Sequence, residues 1–174
     1  MTYPELVTII EEKLKLKSEG RKPHYRFKIE NSLIEFNDMI KGNISFKGEN
    51  ISDPVIITED GTFLYILTSV IDDIEKNITH IVRGEDHLVN TAIQIQMFKY
   101  FNAKIPMFAH LPLISAMDGS FFSKRDGSLS IFDLKKNGYD PMAIINYLFS
   151  QGLPEVNKVY ENMDEIIKIF DITK

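Results

Sequence analysis

Thr79 to Val82 is a short β-branched run that ends in Arg83-Gly84, and Leu88, Ala92, Ile95 and Phe98 then recur at helical spacing. A further apolar run, Phe108 to Ile114, follows. Strand, turn, helix and strand in alternation predict an α/β domain built on a parallel sheet. At 174 residues, 44% of them hydrophobic and 26% charged, the chain can bury roughly 70% of its unfolded surface without a covalent staple. It has no cysteine, which excludes a disulfide framework, a thiol nucleophile and a thiolate zinc site, and fits a reducing compartment. No apolar run nears the roughly 18 residues of a membrane span, and the N-terminus has neither the basic flank nor the apolar core of a secretion signal. A cytoplasmic location without membrane contact is the expectation.

The flanks are read from their punctuation. Thr2 with Glu5 makes a capping box, and Leu6, Ile9, Ile10 and Leu14 continue a helix that Gly20 stops. Tyr25, Phe27 and Ile29 alternate like a half-buried strand, and Leu33 to Phe46 reads as short strands broken at Asn37-Asp38 and Gly42-Asn43. The first fifty residues thus form a small α+β unit. Val55 to Thr58 and Phe63 to Leu67, separated by Glu59-Asp60-Gly61, predict a hairpin. Beyond the central unit, Ser130 with Asp133 caps a short helix ended by Gly138, Asp140-Pro141 starts a longer one running to Gly152, and Asn162 precedes a last helix with Asp164 and Glu165 in its first turn.

Two polar clusters follow the strands of the central unit, where open α/β sheets bind ligands. Arg83-Gly84-Glu85-Asp86-His87 gathers four ionisable residues around a glycine. Its plain alternative is a capped helix start with Arg83 paired to a neighbouring acid. Ser123-Lys124-Arg125-Asp126-Gly127 offers a hydroxyl and two cations in a loop between Gly119 and Gly127, suited to polyphosphate or to nothing more than solvent. Histidines 24, 80, 87 and 110 include no pair three or four apart, so no metal pair forms on a helix. The net charge of −5 conceals an uneven distribution. Lys13, Lys15, Lys17, Arg21, Lys22, Arg26 and Lys28 face one acid, Glu19, a local +6 that leaves −11 for the rest. Such a window is either a solvated face or a patch for phosphates.

Taken in order, Gly20-Arg21-Lys22-Pro23-His24-Tyr25-Arg26-Phe27, Ile51-Ser52-Asp53-Pro54-Val55, Glu59-Asp60-Gly61-Thr62-Phe63-Leu64-Tyr65, Val70-Ile71-Asp72-Asp73 and Ile78-Thr79-His80-Ile81-Val82-Arg83-Gly84-Glu85-Asp86-His87 resemble bacterial glutamyl-tRNA synthetases. The likeness continues through Phe108-Ala109-His110-Leu111-Pro112-Leu113, Phe122-Ser123-Lys124-Arg125, Gly138-Tyr139 and Ile145-Asn146-Tyr147-Leu148. It implies the C-terminal part of a class I catalytic core. Residues 1 to 50 would belong to the insertion that binds the tRNA acceptor end. Residues 51 to 115 would form the second half of a Rossmann-type catalytic domain, 116 to 152 the signature loop and following helices, and 153 to 174 the lead into an anticodon-binding region.

The resemblance also implies a reaction and its residues. Glutamate attacks the α-phosphate of ATP to give glutamyl-adenylate, and the acceptor ribose hydroxyl of tRNA then takes the glutamyl group. Lys124 stands at the second lysine of the K-M-S-K-S signature, binding ATP, with Ser123 and Arg125 beside it. Arg83 and Tyr65 stand in the glutamate pocket, with Ser69 and His87 nearby. Lys13, Lys15, Lys17, Arg21 and Lys22 would face RNA. Mg²⁺ would arrive with ATP, and no protein-bound zinc is implied. Two departures matter: Phe121 replaces the first signature lysine, and the H-x-G-H segment of the family is not in this sequence. A chain lacking it is expected to give little or no aminoacylation unless a separate N-terminal half joins it. The alternatives are a non-catalytic tRNA-binding or degenerate fragment and, less favoured because it too needs H-x-G-H, the related enzyme that glutamylates a modified tRNA base.

Overall fold

The computed structural model describes residues 3–113, 130–152 and 158–172. Its first helix, α1 (Tyr3–Ser18), ends where Gly20 takes φ 76°, a conformation that costs glycine little. β1 (Tyr25–Arg26) pairs antiparallel with β4 (Val55–Ile57). The strand expected through Ile29 therefore stops early. Arg26 donates to the Asp53 carbonyl at 2.6 Å, Phe27 N–H to Pro54 O at 3.0 Å and Ile29 N–H to the Asp53 carboxylate at 2.8 Å, so side-chain and irregular bonds replace the ladder while Ile29 itself is buried.

The principal sheet has four strands, ordered β3, β2, β6, β5. β2 (Leu33–Asp38) and β3 (Gly42–Lys47) form an antiparallel hairpin. β5 (His80–Gly84) and β6 (Met107–Leu111) run parallel, joined through α3 (Leu88–Tyr100). The parallel α/β unit expected from the alternation is present. The two pairs meet along a short seam: β2 lies parallel to β6 with Asp38 opposite Phe108, and Met39 N–H reaches Phe108 O at 2.8 Å. Residues from the first fifty thus share a sheet with residues 80–111.

The hairpin expected around Glu59-Asp60-Gly61 is present only as a short antiparallel turn, in which Thr58 N–H donates to Thr62 O at 3.0 Å and Leu64 N–H to Ile56 O at 2.9 Å. Ile57 and Phe63 make a single bridge, after which the chain turns into α2 (Tyr65–Glu75). Ile66 and Val70, one turn apart, are buried on that helix, and burying this stripe outweighs the β tendency of the Phe63 to Leu67 run. α3 is buried at every position from Thr91 to Phe98, between α2 and the sheet. Ile34, Val70, Ala92, Ile95, Met97, Phe98 and Phe108 form the centre of the core.

α3 also carries polar groups inward, and each is bonded. Gln96 accepts from Glu30 N–H at 2.9 Å and donates to Glu30 O at 3.2 Å, fastening the chain between β1 and β2. Gly48 packs so closely there that a Cβ would enter the Glu30 carbonyl. Farther on, α4 (Ile131–Lys136) begins with a Ser130–Asp133 capping box and α5 (Pro141–Gly152) with Asp140 accepting from Met142 N–H at 2.7 Å. Asn162 caps α6 (Met163–Ile169) by accepting from Glu165 N–H at 3.1 Å. These starts fall where the sequence places them. Among the described residues no helix is long and apolar enough to cross a membrane.

Candidate active site around Arg83

Arg83 projects from the C-terminal end of β5 into a set of neutral acceptors. Its Nη2 donates to Thr91 Oγ1 at 2.5 Å and to Gln94 Oε1 at 2.6 Å, its Nη1 to the Tyr65 hydroxyl at 3.2 Å, and its Nε to His110 Nε2 at 3.4 Å. The guanidinium carbon lies 5.7 Å from the centroid of the Phe108 ring. Among the described residues no carboxylate forms an ion pair with Arg83, so the pairing to a neighbouring acid that spacing alone allowed is not made. Thr91 and Gln94 come from one face of α3, three residues apart, which is why both reach the same guanidinium nitrogen.

Behind the arginine the network is fully buried. His110, on β6, has no exposed surface, and Asp38, at the end of β2, has 1%. His110 Nδ1 lies 2.6 Å from Asp38 Oδ2, and its Nε2 lies 2.9 Å from Thr91 Oγ1. Asp38 Oδ1 accepts from the backbone N–H groups of Ile40 at 3.0 Å, Lys41 at 2.9 Å and His110 at 3.2 Å. Burial pushes the Asp38 carboxyl up, but the bonds from Lys41, His110 and Ile40 outweigh it and hold the group below its ordinary value.

The outer rim is more open. Tyr65, the first residue of α2, is 53% exposed and meets the His87 ring edge-on at 5.8 Å. His87 Nδ1 lies 2.9 Å from Asn90 Nδ2, and its Nε2 lies 3.8 Å from Asp86 Oδ2. Gln94 Nε2 donates to Ser69 Oγ at 2.7 Å, linking Ser69 to Arg83 through one amide. Lys41 pairs with Glu85, whose other oxygen accepts from Leu113 N–H at 3.4 Å. Lys41 and the Leu113 N–H together hold the Glu85 carboxyl below its ordinary value. Burial raises the Asp73 carboxyl, against the pull of the Arg83 charge.

The geometry gathers Arg83, Tyr65, Ser69 and His87 at one place. Ser123, Lys124 and Arg125, together with Phe121, lie outside the described residues. Lys13, Lys15, Lys17, Arg21 and Lys22 are exposed, and all but Lys15 line an open groove of about 800 Å³ with Leu16, Gly20 and Pro23. Among the described residues no three histidines or carboxylates converge as a metal site. Sequence reasoning missed Thr91, Gln94 and Asp38 and gave His110 no role. The available signal was polar residues on the inward face of an otherwise apolar helix and strand, since a buried polar side chain requires a partner.

The sequence pattern of the family described as tRNA synthetases class I (E and Q), catalytic domain, matches residues 3–174. A glutamate–tRNA ligase of Wolbachia from Brugia malayi is 48% identical over 165 residues, covering 94% of this chain and 37% of that protein. The crystal structure of a glutamate–tRNA synthetase from Elizabethkingia anophelis superposes with a TM-score of 0.76 at 32% identity, over 94% of this chain and 37% of the other. A glutamate tRNA ligase from Elizabethkingia meningosepticum, solved with its amino acid, gives 0.75 at 32% identity with the same coverage. The chain spans a little over a third of the length of these relatives. On the residues it does span, it belongs to the class I tRNA synthetase family of the E and Q type, as part of the catalytic domain.

Proposed function

We propose that the chain supplies part of the catalytic core of an enzyme that attaches glutamate to tRNA through glutamyl-adenylate. One observation carries the reading: Arg83 is a fixed cation whose bonds, among the described residues, all go to neutral groups, and its Nη1 edge faces a half-exposed tyrosine. A cation so held is short of an anion. A substrate carboxylate completes it by charge-assisted bonds from Nη1 and from the Tyr65 hydroxyl. Gln94 ties Ser69 to the same fork, and His87 borders Tyr65. In this reading Arg83 and Tyr65 bind L-glutamate, with Ser69 and His87 shaping the pocket. Lys124, flanked by Ser123 and Arg125, neutralises charge developing on the departing pyrophosphate of ATP, which arrives with Mg²⁺. Phosphoryl-centre transfer needs positioning and charge more than covalent help.

In this reading the setting is the cytoplasm, where tRNA charging occurs. Mixing the chain with a separately produced N-terminal half and measuring glutamate-dependent ATP–pyrophosphate exchange tests the proposal. Exchange in the mixture but in neither piece is expected, and none in the mixture counts against it. The basic groove favours a second reading, an RNA-binding piece without chemistry. RNA binding that persists in a mixture inactive in exchange would select it.

A further inference from the structure

We propose that Asp38 and His110 are positioning residues that aim Arg83 by fixing which nitrogen of the His110 ring carries its proton. The inference rests on the reading of Arg83 as the carboxylate-binding group and adds how that group is oriented.

Asp38 Oδ1 already accepts three backbone N–H groups, so its Oδ2 is left to the ring, 2.6 Å from His110 Nδ1. A carboxylate oxygen at that distance requires a proton on Nδ1, because two lone pairs would otherwise face each other. Nε2 is then bare. It accepts from Thr91 Oγ1 at 2.9 Å and from Arg83 Nε at 3.4 Å. Thr91 has one hydroxyl proton, for which His110 Nε2 at 2.9 Å is a nearer acceptor than the His87 carbonyl at 3.3 Å, and giving it to the ring leaves its oxygen to accept from Arg83 Nη2 at 2.5 Å. The inner edge of the guanidinium is thereby engaged, and Nη1 is turned toward Tyr65. The opposite tautomer would place an N–H against the Arg83 Nε–H, and an imidazolium would add a charge of the same sign.

Asp38→Asn reverses the arrangement with little change of shape. The three backbone donors keep the amide oxygen where Oδ1 stands, so the amide nitrogen faces His110 Nδ1 and donates to it. The ring must then carry its proton on Nε2, pointing at the arginine.

The test uses the 174-residue chain labelled with ¹⁵N. His110 ring nitrogens report the tautomer, and hydrogen exchange of the Arg83 Nε–H reports its acceptor. At neutral pH the unsubstituted chain is expected to show Nδ1 protonated and Nε2 bare. In D38N the pattern is expected to invert and the Arg83 Nε–H to exchange at least tenfold faster, while α3 backbone amides stay within about twofold. A proton on Nε2 in the unsubstituted chain, a D38N ring still protonated at Nδ1, unchanged Arg83 Nε–H exchange, or equal loosening of α3 would each overturn the proposal. The unsubstituted chain decides the matter if D38N does not fold. Adding L-glutamate together with the separately produced N-terminal half separates the two ideas: silent Arg83 signals would sink the carboxylate reading and leave the tautomer result standing.

Discussion

A lysine at position 83 would keep the charge and lose the fork that Thr91, Gln94, Tyr65 and His110 hold. Arg83→Lys is therefore expected to lower glutamate-dependent exchange in the complemented enzyme by on the order of 100-fold with little effect on ATP affinity, a split that steady-state kinetics measures. Asp38 belongs to stability as well. Asp38→Ala strips a buried imidazole and three backbone N–H groups of their acceptor, and a loss of about 3 kcal/mol is expected from urea unfolding. The sign with pH follows from the lowered carboxyl: its contribution is complete above the ordinary value of about 3.9 and fades as pH falls through the lower folded value. The gap between the parent chain and D38A should therefore narrow in acid. Asp60, drawn down to about 2 by the Thr58 hydroxyl and the Thr62 N–H, is common to both chains, so its acid titration should leave that gap unaltered.

Elements are legible where a local signal agrees with burial and illegible where it does not. Capping side chains at Ser130, Asp140 and Asn162 mark true helix starts, because cap bonds are made within three residues and need no tertiary partner. Phe63 to Leu67 has β-type residues yet leads into α2, since Ile66 and Val70 find the core only at helical spacing. Tyr65 is recognisable by resemblance although its element is not. Asp38 reads locally as a turn breaker, and its partner His110 is 72 residues away, a distance no periodicity spans. At the hairpin's far end, Gly48→Ala would press a methyl group into the Glu30 carbonyl that Gln96 holds. A cost of about 2 kcal/mol is expected, read as a lower urea midpoint with unchanged slope.

Over the whole molecule charge is segregated. The groove lined by Lys13, Lys17, Arg21 and Lys22 lies in a chain of net −5, so any RNA bound there should feel a strong local field and be sensitive to salt. Replacing these four residues by alanine is expected to weaken tRNA binding in a gel shift and to flatten its dependence on log salt by about 0.7–0.9 for each phosphate no longer neutralised. An unchanged slope would mean that the RNA is held elsewhere on the chain.

The seam between the two halves of the sheet has a kinetic consequence. The β2–β3 hairpin closes locally, but Asp38 meets Phe108 and His110 only after some 70 intervening residues are gathered in, and pairings of such separation form late. Until that docking occurs, nothing obliges the His110 proton to choose a side or Arg83 to face the rim. The Asp38–His110 contact behind the pocket is then expected among the late contacts of folding, and local unfolding at the seam should blind the pocket before the rest of the chain opens.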